Sequence, residues 1–93
     1  MKVIEFEKDK LLVARFRGHT FELDRDPDEK SSFGNWYIVV KNDAGQTACD
    51  GYIDDSSHYT AKVAMTHACE YAALEPPKRW PKSILSHAPE VES

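Results

Sequence analysis

The sequence predicts an α+β fold: an antiparallel meander of four to five strands followed by one C-terminal amphipathic helix packed on one sheet face. Three observations predict it. The first half of the chain holds short segments in which apolar and polar residues alternate, the period of a half-buried strand. The breaks between the first three segments are only a few residues long, too short for the crossovers that parallel pairing needs. One later stretch, residues 57–74, carries apolar residues at the three- and four-residue spacing of a helix.

Each element has its own warrant. Residues 2–7 alternate, with Ile4 and Phe6 on one side and Val3, Glu5 and Glu7 on the other. Lys8, Asp9 and Lys10 suit a turn. Residues 11–17 set Leu12, Ala14 and Phe16 against Leu11, Val13, Arg15 and Arg17, and Gly18-His19 makes the next break. Residues 20–24 turn Phe21 and Leu23 inward. From Asp24 to Asn35 the composition is that of a loop. Residues 36–41 join Trp, Tyr, Ile and two Val, all strand-favouring types. Asn42-Asp43-Ala44-Gly45 is a hairpin turn with Gly45 at the positive φ, and residues 47–53 return as the last strand.

Asp54, Asp55, Ser56 and Ser57 have the side chains that cap a helix, with Thr60 a competing cap. On the helix, Val63, Ala64, His67, Ala68, Tyr71 and Leu74 share the apolar face, opposite Lys62, Thr66, Cys69 and Glu70. Pro76 and Pro77 are expected to stop it. Residues 1–75 thus read as one domain. Residues 76–93, with four of the five prolines, read as a tail whose distal part is mobile.

Composition limits the function classes. A chain of 93 residues leaves too little for a second core. Apolar residues make up 41% and charged ones 30%, ordinary for a globular protein. No apolar run approaches the roughly 20 residues of a membrane-spanning helix. Charges recur through residues 1–10, unlike a secretory signal. Cys49 and Cys69 make no disulfide framework, so a cytoplasmic, reduced location is expected. The net charge of −4 argues against a nucleic-acid coat protein.

One feature points to an interface. The strand at residues 36–41 is apolar on both sides, and Val3, Leu11 and Val13 add apolar groups to nominally outward positions. One helix covers one face, so the second needs the tail, another copy of the chain or another protein. The candidate interface is Trp36, Tyr37, Val39, Val13 and Trp80.

The remaining constellations are weaker. Asp24, Asp26 and Asp28 have calcium-loop spacing, but Glu29 stands where the loop needs glycine and Asn35 where it needs a carboxylate. His67 and Cys69, two apart on a helix, point about 200° apart and cannot share a zinc ion. His67 reads as a hydrogen-bonded core histidine. Asp54, Asp55, Ser57 and His58 carry hydrolase residue types, which capping explains equally well. Lys78, Arg79, Trp80 and Lys82 form a basic aromatic segment, the feature of a nucleic-acid-associated module that would also use Arg15 and Arg17. Asp24, Asp26, Asp28, Glu29, Asp54 and Asp55 form a candidate acidic surface for a basic partner.

The leading expectation is a small non-enzymatic binding protein, accessory or inhibitory in kind, of phage or mobile-element type. Its partner is another protein or a second copy of itself, with no membrane, metal or cofactor. A nucleic-acid module is the second reading and a small hydrolase the third.

Overall fold

Five strands form one antiparallel sheet in chain order: β1 (Lys2–Glu7), β2 (Leu11–Phe16), β3 (His19–Asp26), β4 (Asn35–Asn42) and β5 (Thr47–Tyr52). A short 3-10 turn (Ser56–His58) leads to helix α1 (Ala61–Tyr71), and a one-turn helix α2 (Lys82–Leu85) follows. The computed structural model describes residues 1–7, 11–26, 35–54 and 56–86. The turn expected at residues 8–10, most of the expected loop (27–34) and the distal tail (87–93) lie outside them. The α+β antiparallel meander is as the alternation predicts, with five strands and two helices.

The hairpins follow from local chemistry. Arg17 and Gly18 join β2 to β3 with φ of 50° and 72°, the left-handed pair that matches strand twist in a two-residue turn. The strand expected to reach residue 17 therefore ends at Phe16. Between β4 and β5, Gly45 takes φ of 82°. The Asn42 side-chain oxygen accepts from the amides of Ala44 and Gln46, both at 3.0 Å.

Two strands depart from simple alternation. In β1 the register moves from Val3↔Ala14 to Glu5↔Val13, leaving Ile4 as the extra residue of a bulge. Ile4 is 53% exposed, while Val3 and Phe6 pack on the core. This corrects the pairing of Ile4 with Phe6, because a bulge breaks the two-residue period. The third strand runs past Asp24, pairing Asp24↔Tyr37, Arg25↔Trp36 and Asp26↔Asn35. Pairing with the apolar β4 overrides the poor strand propensity of these acids.

Helix α1 is shorter than expected, and its buried face is rotated. Thr60 is the cap, its hydroxyl accepting from the Val63 amide at 3.2 Å. The buried residues are Ala61, Ala64, Met65, Ala68 and Cys69. Cys69 therefore lies in the core rather than on the polar side, and Tyr71, expected on the face that packs on the sheet, is 53% exposed. Val63 is also exposed. Two neighbouring stripes of α1 are apolar, and the one richer in small side chains is the one that is buried.

The prolines do not end α1. Ala73 takes φ of 58°, Leu74 N–H donates to the Cys69 carbonyl at 2.8 Å, and Ala73 N–H to that of Glu70 at 3.0 Å. This pair of bonds closes the helix three residues before Pro76.

One hydrophobic cluster joins the sheet to both helices. Leu12, Ala14, Phe21, Leu23, Trp36, Ile38 and Val40 supply the sheet side. Ile84 of α2 is fully buried in the same cluster, and Trp80 packs against it. Among the described residues no helix is long and apolar enough to cross a membrane.

Two stability predictions follow from these contacts. Ile84→Ala should cost about 2–5 kcal/mol in urea melts. Leu85→Ala, at a residue 54% exposed, should stay within about 0.5 kcal/mol. Equal small losses would mean that α2 does not belong to the core. Ala73→Gly should stabilise by about 1 kcal/mol, since glycine removes the left-handed penalty. A lower melting temperature in that variant would contradict the assigned helix end.

Candidate functional site on the outer sheet face

Residues that alternate with the core positions form the outer face of the sheet, and strand register lines them into three rows. The first row is Leu11, Asp24, Tyr37 and Tyr52; the second is Val13, Glu22, Val39 and Asp50. The third is Arg15, Thr20, Lys41 and Thr47. Cross-strand neighbours of this kind lie close enough for side chains to touch. In the first two rows the exposed carboxylates of Asp24, Glu22 and Asp50 stand beside half-buried Leu11, Val13, Tyr37 and Val39, and exposed Tyr52 ends the first row. The third row carries the positive charge. There Arg15 donates to Thr20 at 2.7 Å and pairs with Asp43 at 2.6 Å.

Tyrosines dominate the β5 side. The Tyr37 and Tyr52 rings meet edge to face, with centroids 4.8 Å apart and planes at 77°. Tyr52 is 47% exposed. The Tyr37 hydroxyl donates to the Asp50 carboxylate. That bond raises the Tyr37 pKa, since ionising the phenol would remove the donor, and desolvation and the Asp50 charge push the same way.

The residues selected from sequence divide between the two sides. Tyr37, Val39 and Val13 lie on the outer face. Trp36 is buried in the core and Trp80 packs against it, so neither belongs to that face. Asp24 is on the outer face, Asp26 ends β3, and Asp54 is exposed beyond β5. Asp28, Glu29 and Asp55 lie outside the described residues. Lys78, Arg79 and Lys82 are exposed. The sequence reading missed Tyr52; it set Leu11 among the outward apolar groups but left it, like Glu22 and Asp50, out of the candidate residue sets. No local signal gave Tyr52: the register beside the turn, Lys41↔Thr47, extended unbroken would set Gly51 opposite Tyr37, and the bulge between Val40 and Lys41 brings Tyr52 there instead.

Other candidate chemistry is dispersed. Of the hydrolase-type residues, Asp54 and His58 are exposed, Ser57 falls in the 3-10 turn and Asp55 lies outside the described residues; the neighbouring Ser56 is buried, its hydroxyl accepting from the Trp36 amide at 2.8 Å. His67 is only half-buried, stacked on Tyr59 at 5.2 Å and 8°, which corrects its expected place in the core. Burial pushes the Cys69 thiol up to about 11, opposed by Arg17 and reinforced by Glu70. Burial also raises Cys49, and both thiols are free. Thiols kept protonated in this way are poor nucleophiles. Among the described residues no three His, Cys, Asp or Glu side chains gather to hold a metal. Comparisons with protein-family models, curated proteins and solved structures return no match.

The Tyr37 bond has a pH signature. Its ring signals in NMR should titrate above the ordinary 10.0, and Asp50→Ala should bring the midpoint back down. Because the folded value is raised, the stabilising share is intact below the unfolded value of about 10 and is lost as pH rises through the folded value. A midpoint unchanged by Asp50→Ala would disprove the contribution of this bond.

Proposed function

We propose that this protein is a small non-enzymatic binding module, accessory or inhibitory in role, that uses its outer sheet face to hold a basic protein partner. The observation that carries this reading is the alternation of Glu22, Asp24 and Asp50 with Leu11, Val13, Tyr37, Val39 and Tyr52 on one face. The tail residues Ile84 and Trp80 pack in or against the core instead. A face with both apolar area and fixed negative charge suits a partner bearing apolar groups among lysines or arginines. A second copy suits it less well. In a two-fold, face-to-face pair centred on the sheet, the middle row meets the middle row, and Glu22 meets its own copy. The free thiols Cys49 and Cys69 accord with a reducing compartment such as the cytoplasm.

Affinity capture from lysate with three baits tests the reading. The intact protein should retain a protein that Val39→Glu loses and that a Lys78→Ala/Arg79→Ala/Lys82→Ala triple variant keeps. Capture that survives Val39→Glu but disappears in the triple variant, or on nuclease treatment, would favour the nucleic-acid reading instead. Concentration-dependent dimers in sedimentation, abolished by Val39→Glu, would replace the foreign partner with a second copy.

A further inference from the structure

Charge on the outer sheet face is sorted along the strands rather than mixed. The first two rows hold Asp24, Glu22 and Asp50, and the third holds Arg15 and Lys41. Register with β1 continues the order: Glu7 stands opposite Leu11, Glu5 opposite Val13 and Lys2 opposite Arg15. At the acidic end β3 runs on to Asp26, and at the basic end the β2–β3 turn brings the exposed Arg17. Neighbouring strands run in opposite directions, so the order is not a trend along the chain. β1 carries its cation at its start and β2 near its end. The sorting also sets Lys2 directly across from Arg15, and like charges so placed destabilise a sheet. Arg15 turns to Thr20 and to Asp43, which lies in the β4–β5 turn beyond the third row. Lys2 and Lys41 are exposed in the same row.

We infer that the partner docks in one direction along the strands, through a helical segment whose charges are sorted the opposite way: basic over the first two rows and acidic over the third. The inference rests on the protein-binding reading of the outer face and names the chemistry of the docking segment. A uniformly basic segment is attracted by Glu22, Asp24 and Asp50 and repelled by Lys2, Arg15 and Lys41, whereas a sorted one is attracted at both ends. The first and third rows are four residues apart on each strand, about 13 Å. A helix laid along the strands crosses that distance in about nine residues. The inner face of the same sheet is already covered by a helix, α1. Helices also favour this order of charge, since acids in the first turn and bases in the last complement the macrodipole. Such a helix lies with its C-terminal half over the acidic rows, and its apolar stripe meets Val13 and Val39 in the middle row.

The probes are two amphipathic helical peptides of about 18 residues, each with the same composition and the same leucine stripe. In the sorted peptide Glu flanks the stripe in the N-terminal half and Lys in the C-terminal half; in the mixed peptide Glu and Lys alternate. Each is titrated at low salt into the full-length, isotope-labelled protein. The sorted peptide should bind about 1.4- to fivefold more tightly, the range for one exposed ion pair. A spin label at its C-terminus should broaden the amide signals of Asp24 and Tyr37, and one at its N-terminus those of Thr20 and Lys41. A Lys2→Glu/Lys41→Glu double variant should lose the preference for the sorted peptide. Lys62→Glu, the same charge change on the exposed side of α1, should keep it. Equal affinity for both peptides, a preference that survives the double variant, or broadening that ignores which end is labelled would overturn the fixed direction and leave the protein-binding face standing. Binding of neither peptide, with Val39-dependent capture intact, would do the same. Concentration-dependent dimers lost in the double variant would put a second copy in the segment's place. Failure of both the peptides and the Val39-dependent capture would remove the direction and the reading on which it rests.

Discussion

The structure depends on how Trp36 is held. Its ring is buried on the inner sheet face near the start of β4, and both of its polar N–H groups must be satisfied there. The backbone amide donates to the buried Ser56 hydroxyl at 2.8 Å, and the indole N–H donates to the Tyr59 carbonyl at 3.1 Å. The Trp36 carbonyl in turn accepts from Ile53 at 3.0 Å. Arg25, its cross-strand neighbour, lies over the ring and also donates to the Tyr59 carbonyl at 3.3 Å. One residue thus ties the sheet to the segment that turns into α1.

Covering the inner face takes more than one helix. Four interstrand spacings make a five-stranded sheet about 19 Å wide, and a helix with its side chains is about 10 Å across. α1 therefore leaves part of the face open. Ile84 and Trp80 extend the cover, and Phe6 and Phe16 pack on the same cluster. Because Ile84 and Trp80 pack into or against this cluster, these two side chains are absent from the opposite side of the sheet. Small side chains on α1 fit the same arrangement, since Ala61, Ala64 and Ala68 let the helix approach the strands closely.

The outer face is what remains. Leu11, Val13, Tyr37 and Val39 are half-buried there, while Tyr52 and the carboxylates of Glu22, Asp24 and Asp50 are exposed. The acidic surface expected from runs of Asp and Glu along the chain is therefore differently composed in space. Glu22, Asp24 and Asp50 come from β3 and β5 and sit on either side of β4. Sequence proximity grouped Asp24 with Glu29, whereas pairing groups it with Tyr37. Tyr37, Val39 and Val13 were legible as outward residues because period two needs only the local chain. Tyr52 and Asp50 were not, because their place depends on the bulge and register of the β4–β5 hairpin.

What the sequence determined by itself is local. Alternation, strand-favouring side chains and turn residues specify β2, β4, the Asn42–Gly45 hairpin and the antiparallel order, since each depends on neighbours a few residues away. The capping chemistry at Thr60 was equally visible, one candidate among several. Tertiary structure decided the rest. It selected the stripe of α1 that is buried, the Ile4 bulge, the extension of β3 through Asp26 and the side of the sheet taken by the tail. Each of these is a competition between local preferences of similar size. The deciding free energy comes from burying a shared core around Trp36, a contact among residues far apart in the chain.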